Sequence, residues 1–314
     1  MKKQINFVIV TVIFIILLAC NNNSKENEIT PTQSTAPVIK SVFVNGDSLH
    51  YIETGKGEPV IFVHGTLDDY RLWYMQMDTF AKDHRAIAYS RRYAYPNKRV
   101  INDSADYSPV IHARDLTEFI KALNIGPVHL VGHSYGAFTA LLTTMDHPEL
   151  VKTLMLGEPP AIPLLQNVPG ADTLVNNFMN RSIKPAADAF RSGDNVKAVS
   201  IFMAAVTGDT SLYASMPKEI KDQMMENILE LRGVSLAKNI FPNINCDSIR
   251  SIKTPVLIMT GEKTLPLFKA INKELEKCLL NNEKVVLVNA SHGLEMENPA
   301  DFNKIVLAFI NKHR

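Results

Sequence analysis

The sequence is poor in the residues that build special architectures. Its 314 residues include only three cysteines, too few to staple a disulfide framework. Fourteen glycines and 17 prolines exclude a collagen-like or low-complexity chain. Neither sign of charge dominates. Thirty-three basic residues meet 32 acidic ones for a net charge of +1, so no broad basic field draws in nucleic acid. No internal repeat of roughly 20–50 residues appears, which excludes a solenoid. No pair among the nine histidines has H-E-x-x-H spacing, so the usual zinc-hydrolase signature is missing and neither metal nor cofactor is expected. Long apolar runs are also lacking, with one exception at the N-terminus. What remains is 46% hydrophobic and 21% charged, a balance that suits a folded globular chain and not a disordered one.

The exception follows Lys2 and Lys3. Phe7 to Ala19 is apolar apart from Thr11. As a helix this run rises about 20 Å, short of the roughly 30 Å hydrocarbon core, so it reads as the centre of a signal peptide. It ends Leu17-Leu18-Ala19-Cys20, which resembles the lipobox of bacterial lipoproteins. The resemblance implies that residues 1–19 are removed and that Cys20 carries lipid. An uncleaved apolar anchor is the alternative, and both put the rest of the chain outside the cytoplasm, held to a membrane of the cell envelope. Residues 21–37 contain only Ile29 and Ala36 as hydrophobic residues. Such a segment cannot bury enough surface to offset its ordering entropy, so residues 20–39 read as a solvated tether.

Residues 40–314 alternate strand and helix signals. Val42-Phe43-Val44 and Leu49 to Glu53 flank Asn45-Gly46-Asp47, a hairpin signal. Short continuous apolar runs follow at 60–63, 86–89, 128–131, 153–156, 256–259 and 285–288, as expected for strands covered on both faces. Residues 110–123 and 302–310 have helical periodicity. The pattern predicts a mainly parallel α/β sheet with helices on both faces. Residues from about 161 to 250 break the rhythm, because only helix signals appear there. Asp194 can cap a helix ending at Gly208, and Pro217 can open another ending at Gly233. The stretch reads as a helical cap over the carboxyl edge of the sheet. Its Phe178, Phe202, Met203, Met224 and Met225 could serve either an acyl pocket or the helix core.

Gly132-His133-Ser134-Tyr135-Gly136 stands between a strand and a helix. Gly-x-Ser-x-Gly in that context is a nucleophile elbow, whose sharp turn leaves no room for side chains two residues either side of the serine. His292 follows the last strand and is the candidate base. His129 lies inside a strand and reads as structural, and His133 is expected to point away from the partner of Ser134. With His64-Gly65-Thr66 after an early strand and Glu297-Asn298-Pro299 after His292, the chain resembles the α/β-hydrolase superfamily over residues from about 40 to 314. The resemblance implies an eight-stranded sheet and an oxyanion hole from the backbone amides of Thr66 and Tyr135.

The acid of the triad departs from the common pattern. The superfamily usually places aspartate after the seventh strand, and here Gly261-Glu262-Lys263-Thr264 puts threonine at that position. Some members carry the acid one strand earlier, where this chain has Gly157-Glu158-Pro159. Glu158 is therefore the favoured acid, with Glu262 and a dyad lacking an acid as the alternatives. Relatives that open epoxides or remove halide use aspartate as nucleophile, so Ser134 implies acyl transfer instead. The expectation is a serine hydrolase of a small ester, thioester or related acyl substrate. A carbon–carbon bond hydrolase or lyase on the same residues, and a non-catalytic surface binding protein, stay open beside it. The basic and aromatic run from Ser90 to Arg99 reads either as a solvated loop, as a site for a substrate carboxylate or as a lipid-headgroup contact. Cys246 and Cys278 lack a motif and read as buried thiols.

Overall fold

The structure is a computed structural model that describes residues 37–97, 100, 102–237 and 240–314. The signal segment, Cys20 and the tether up to residue 36 lie outside the described residues, as do Lys98 and Arg99. The body contains eight strands: β1 (Lys40–Val44), β2 (Asp47–Thr54), β3 (Glu58–Val63), β4 (His84–Tyr89), β5 (Val128–His133), β6 (Val151–Gly157), β7 (Val256–Gly261) and β8 (Asn282–Leu287). They form one sheet in the order β1-β2-β4-β3-β5-β6-β7-β8. The β1–β2 and β2–β4 pairs are antiparallel, and the other five pairs are parallel. Asn45 and Gly46 both have positive φ, 47° and 80°, which matches a two-residue turn to the twist of the β1–β2 hairpin.

Each central strand sends alternate residues to opposite faces. In β3, Ile61 and Val63 join one core and Val60 and Phe62 the other. The first core is closed by α2 (Pro109–Leu123), α3 (Tyr135–Asp146) and α11 (Pro266–Cys278), through residues such as Phe119, Phe138 and Ile271. The second is closed by α1 (Tyr74–Phe80) and α13 (Pro299–Lys312), through Phe80 and Phe302. A four-residue α12 (Leu294–Glu297) precedes the last helix.

Between β6 and β7 the chain is helical throughout its regular elements: α4 (Ala171–Phe178), α5 (Lys184–Arg191), α6 (Asn195–Thr207), α7 (Leu212–Ser215), α8 (Lys218–Glu226), α9 (Ile228–Leu236) and α10 (Cys246–Arg250). The Asp194 side chain accepts from Lys197 N–H, and Gly208, at φ 80°, ends α6. The single helix expected from Pro217 to Gly233 is instead two. Asn227 interrupts it because its side chain is committed elsewhere: its amide donates to Asp69 Oδ2 at 2.7 Å and its Oδ1 accepts from Tyr95 N–H at 2.7 Å. Gly233 is not a terminus either. It lies inside α9, where a Cβ would stand 2.2 Å from the Tyr107 ring.

The cysteine reading also changes. Cys246 at the start of α10 and Cys278 at the end of α11 are joined by a disulfide across 32 residues of sequence. Spacing alone cannot reveal such a pairing.

Candidate active site

β5 delivers the elbow. Ser134 has φ 50° and ψ −121°, a conformation disfavoured for a non-glycine residue. It is held by Ser134 N–H donating to Gly157 O at 2.7 Å. Both elbow glycines are sterically required. A Cβ on Gly132 would lie 2.5 Å from Ala137 Cα, and one on Gly136 2.2 Å from Val63 O.

The carboxyl ends of the parallel strands β5, β6 and β8 bring three side chains together. His292, on the loop between β8 and α12, places Nε2 at 3.0 Å from Ser134 Oγ. Its Nδ1 stands 2.8 Å from Oε2 of Glu158, the residue after β6. A carboxylate opposite Nδ1 assigns the proton to that nitrogen, which leaves Nε2 free to accept from the serine hydroxyl. Phe268 of α11 stacks on the imidazole at 4.2 Å between ring centroids.

Glu158 is fully buried, and its backbone has positive φ (50°). Its carboxyl is met by donors from β7 and the turn after it. Gly261 N–H donates to Oε1 at 2.7 Å, and Thr264 Oγ donates to Oε2 at 2.7 Å. Thr264, which stands where aspartate is usual, therefore contacts the carboxyl that reaches the histidine. Glu262 is placed elsewhere. Its side chain is exposed and accepts from Asn289 N–H at 3.0 Å.

Tyr135 opens α3, so its amide is one of the helix N-terminal N–H groups that lack a partner within the helix. Its phenol is committed to Tyr107 O at 2.6 Å. Thr66, on the loop after β3, borders the same cavity as Ser134. The next residue, Leu67, has φ 68° and packs among cap residues, which fixes the backbone at this turn. His64 is buried. Its Nε2 accepts from Arg91 N–H at 2.9 Å, so its Nδ1–H donates to Gly65 O at 2.8 Å. Burial pushes its pKa well below the ordinary value, and the ring is neutral.

Two expectations are corrected here. His133 does not point away from the partner of Ser134: its Nε2 lies 2.8 Å from the backbone oxygen of His292, and the two rings are 4.9 Å apart. His129 does sit in the sheet, 2.7 Å from Thr153 Oγ. The basic loop is neither solvated nor offered to a substrate at its start. Arg91 is 1% exposed, pairs with Glu230 of α9 and donates to His64 O at 3.0 Å and Gly65 O at 2.9 Å. Arg92 reaches Asp115 at 2.6 Å and also pairs with Asp47.

The cavity above Ser134 and His292 holds about 420 Å³. Its wall is mostly apolar, with Leu67, Phe202, Met203, Val206 and Met224 among the lining residues. Phe178 packs instead against the sheet core, and Met225 among the cap helices. Arg71 borders the cavity, but its guanidinium is held by Asp69 and Glu226, each at 2.6 Å. Asp68 is also in the wall, and burial together with the Asp69 charge pushes its pKa up to about 7. Sequence reasoning passed over Asp68 because an acidic pair before a helix reads as capping, which is what Asp69 does for Arg71 N–H.

Three comparisons set this geometry among known proteins. The chain is 23% identical over 300 residues to a 2-hydroxy-6-oxo-6-(2'-aminophenyl)hexa-2,4-dienoic acid hydrolase of Metapseudomonas resinovorans, covering 92% of this chain and 96% of that one. The crystal structure of a carboxylesterase from Bacillus subtilis superposes with a TM-score of 0.68 at 20% identity, over 88% of this chain and 92% of the other. An epoxide hydrolase from Vigna radiata gives 0.69 at 19% identity, over 88% and 98%. The likeness to the two structures is one of fold. Residues 58–299 match the family described as the alpha/beta hydrolase fold, and with the eight-stranded sheet and the serine elbow in place, the chain belongs to that family.

Proposed function

We propose that the protein is a serine hydrolase that cleaves an ester, thioester or similar acyl substrate through an acyl-enzyme. The observation that carries this reading is the continuous relay from Ser134 Oγ through His292 to Glu158, at 3.0 and 2.8 Å. Ser134 attacks the carbonyl carbon while His292 Nε2 takes its proton. The amides of Thr66 and Tyr135 receive the charge that develops on the carbonyl oxygen. Glu158 holds the imidazole in its tautomer and stabilises the imidazolium. His292 then passes the proton to the leaving group and activates water for deacylation.

The cavity argues for an uncharged, apolar acyl chain. The one arginine that borders it among the described residues is already neutralised by two carboxylates, which leaves little attraction for a substrate carboxylate. For the same reason the carbon–carbon bond reading is the weaker one wherever the substrate is a dicarboxylate or dienoic acid. A non-catalytic binding protein would need neither the relay nor the strained serine. The threonine where aspartate is usual would favour that reading, but the Thr264–Glu158 hydrogen bond gives the threonine a place in the site.

Lipid attachment at Cys20, outside the cytoplasm, belongs to the same proposal. The Cys246–Cys278 disulfide supports it, because structural disulfides persist in oxidising compartments.

The test is turnover of p-nitrophenyl esters of increasing chain length by the purified protein and by Ser134→Ala. Ser134-dependent hydrolysis that favours medium acyl chains is expected, with a loss of about 10⁴ or more in kcat for the variant. Equal hydrolysis by both proteins would end the mechanism.

A further inference from the structure

Beneath His292 lies a second histidine–carboxyl pair that the relay does not use. His133, immediately before Ser134, and Glu295 of α12 are 5% and 0% exposed. His133 Nε2 is 2.8 Å from His292 O. A carbonyl oxygen only accepts, so Nε2 carries hydrogen. In a neutral ring Nδ1 then holds a lone pair and requires a donor. Glu295 Oε1 stands 3.2 Å from it. Neither Nδ1 nor either Glu295 oxygen has a hydrogen-bonding partner on any other described residue. Leaving all of them unmet in the interior would be costly, and a carboxylate cannot donate.

We propose that Glu295 and His133 are positioning residues for Ser134 and His292: a protonated Glu295 carboxyl donates to His133 Nδ1, and the ring so fixed donates Nε2–H to the His292 carbonyl. The inference rests on the serine-hydrolase reading. It adds to that reading a restraint running from the residue before the nucleophile to the backbone of the base. Glu158 and Phe268 hold the imidazole from its side chain, whereas this second pair holds it from the main chain. Gln76 closes the arrangement by donating its amide N–H to Glu295 O at 3.0 Å.

The protonation follows from the surroundings. Burial drives the Glu295 carboxyl well above its ordinary range, and the carboxylates of Asp68, Glu158 and Glu297 oppose a further negative charge. Burial and the neighbouring His292 push His133 down to about 3, so the ring is neutral near pH 7. The facing groups are thus three carboxyls and one imidazole, and the pair adds no charge of its own. An ion pair between His133 and Glu295 is the competing arrangement, and it differs in placing an imidazolium charge on the ring beside the base and a carboxylate charge behind it.

The experiment compares full-chain wild type, Glu295→Gln and Glu295→Leu on p-nitrophenyl butyrate, with kcat, KM and the acid limb of kcat/KM as readouts. A glutamine amide can replace the carboxyl O–H as donor, so Glu295→Gln should keep kcat within about threefold, with the acid limb unmoved. Glu295→Leu has no donor and should lose about tenfold or more in kcat at unchanged KM. Full kcat in Glu295→Leu overturns the proposal. So does Glu295→Gln if it falls as far as leucine, or if it shifts the acid limb in either direction, the mark of a lost ion pair beside the base. Should the leucine variant fail to fold, Glu295→Gln and its pH profile decide alone. Absence of Ser134-dependent turnover in the wild type is a different result, and it removes the hydrolase reading itself.

Discussion

Glu158 and Thr264 act as a unit at the scale of single residues. The carboxyl meets His292 from one side and receives the threonine hydroxyl and the Gly261 amide from the other. Glu158→Gln removes the charge opposite the imidazolium and the tautomer control, and a fall of at least ~10² in kcat is expected. Thr264→Val removes one donor to a buried carboxyl and should cost about tenfold, while Glu262→Gln changes little. The check is kcat for the three variants on one ester. A Glu262→Gln defect as large as that of Glu158→Gln would move the acid back toward its common strand. Ser134, His292 and Glu158 were legible because each follows a strand within a short motif. The role of Thr264 was not, since its partner is 106 residues away and a threonine in place of aspartate reads only as a loss. His133 was misplaced for a related reason. Elbow geometry fixes the serine, but where the preceding ring goes depends on the distant loop carrying His292.

Among the elements, the strands and the helices α2, α3, α6 and α13 followed from hydrophobic period, whereas α1, α4, α5, α7, α10, α11 and α12 did not, and two readings that failed are both cap contacts. Asn227 breaks a helix to bond Asp69 and Tyr95. Arg91 leaves a polar-looking loop to enter the interior and meet Glu230 on α9. A run of basic residues reads as solvated until its distant carboxylates are known. The Arg91–Glu230 pair ties the His64-Gly65 turn to the cap, because the same guanidinium holds both backbone oxygens there. Burial alone would raise the Glu230 pKa, but Arg91 and His112 outweigh it and hold the group well below the usual carboxylate range. A lowered carboxylate pKa contributes stability that is present above its unfolded value and is lost only as pH falls through the folded one. The anchor should therefore persist in mild acid. Arg91→Met leaves only His112 facing the buried Glu230 carboxyl, and urea unfolding should show a loss of about 3–5 kcal/mol. Adding Glu230→Leu to it should restore at least half. If the double variant is no more stable than the single one, the buried charge is not the cause.

For the whole molecule, the described body is a single-sheet hydrolase fold, and the proposed lipid anchor precedes it in sequence. Cys246 and Cys278 pair with each other, and Cys20 is the cysteine that the proposal assigns to lipid. Labelled palmitate should enter the wild-type protein in bacterial cells and be absent from Cys20→Ala; equal labelling of both would remove the anchor and leave the hydrolase reading intact. The pairing was illegible in sequence because two cysteines 32 residues apart carry no spacing signal, whereas the N-terminal run announces itself by composition. The central claim is that Ser134 is an activated nucleophile, and the most direct measurement is the intact mass of the purified protein after exposure to a fluorophosphonate, followed by peptide mapping. One adduct on the peptide containing Ser134, lost in Ser134→Ala and strongly slowed in His292→Ala, is the predicted result. An unlabelled wild type, or equal labelling of the wild type and Ser134→Ala, would contradict it.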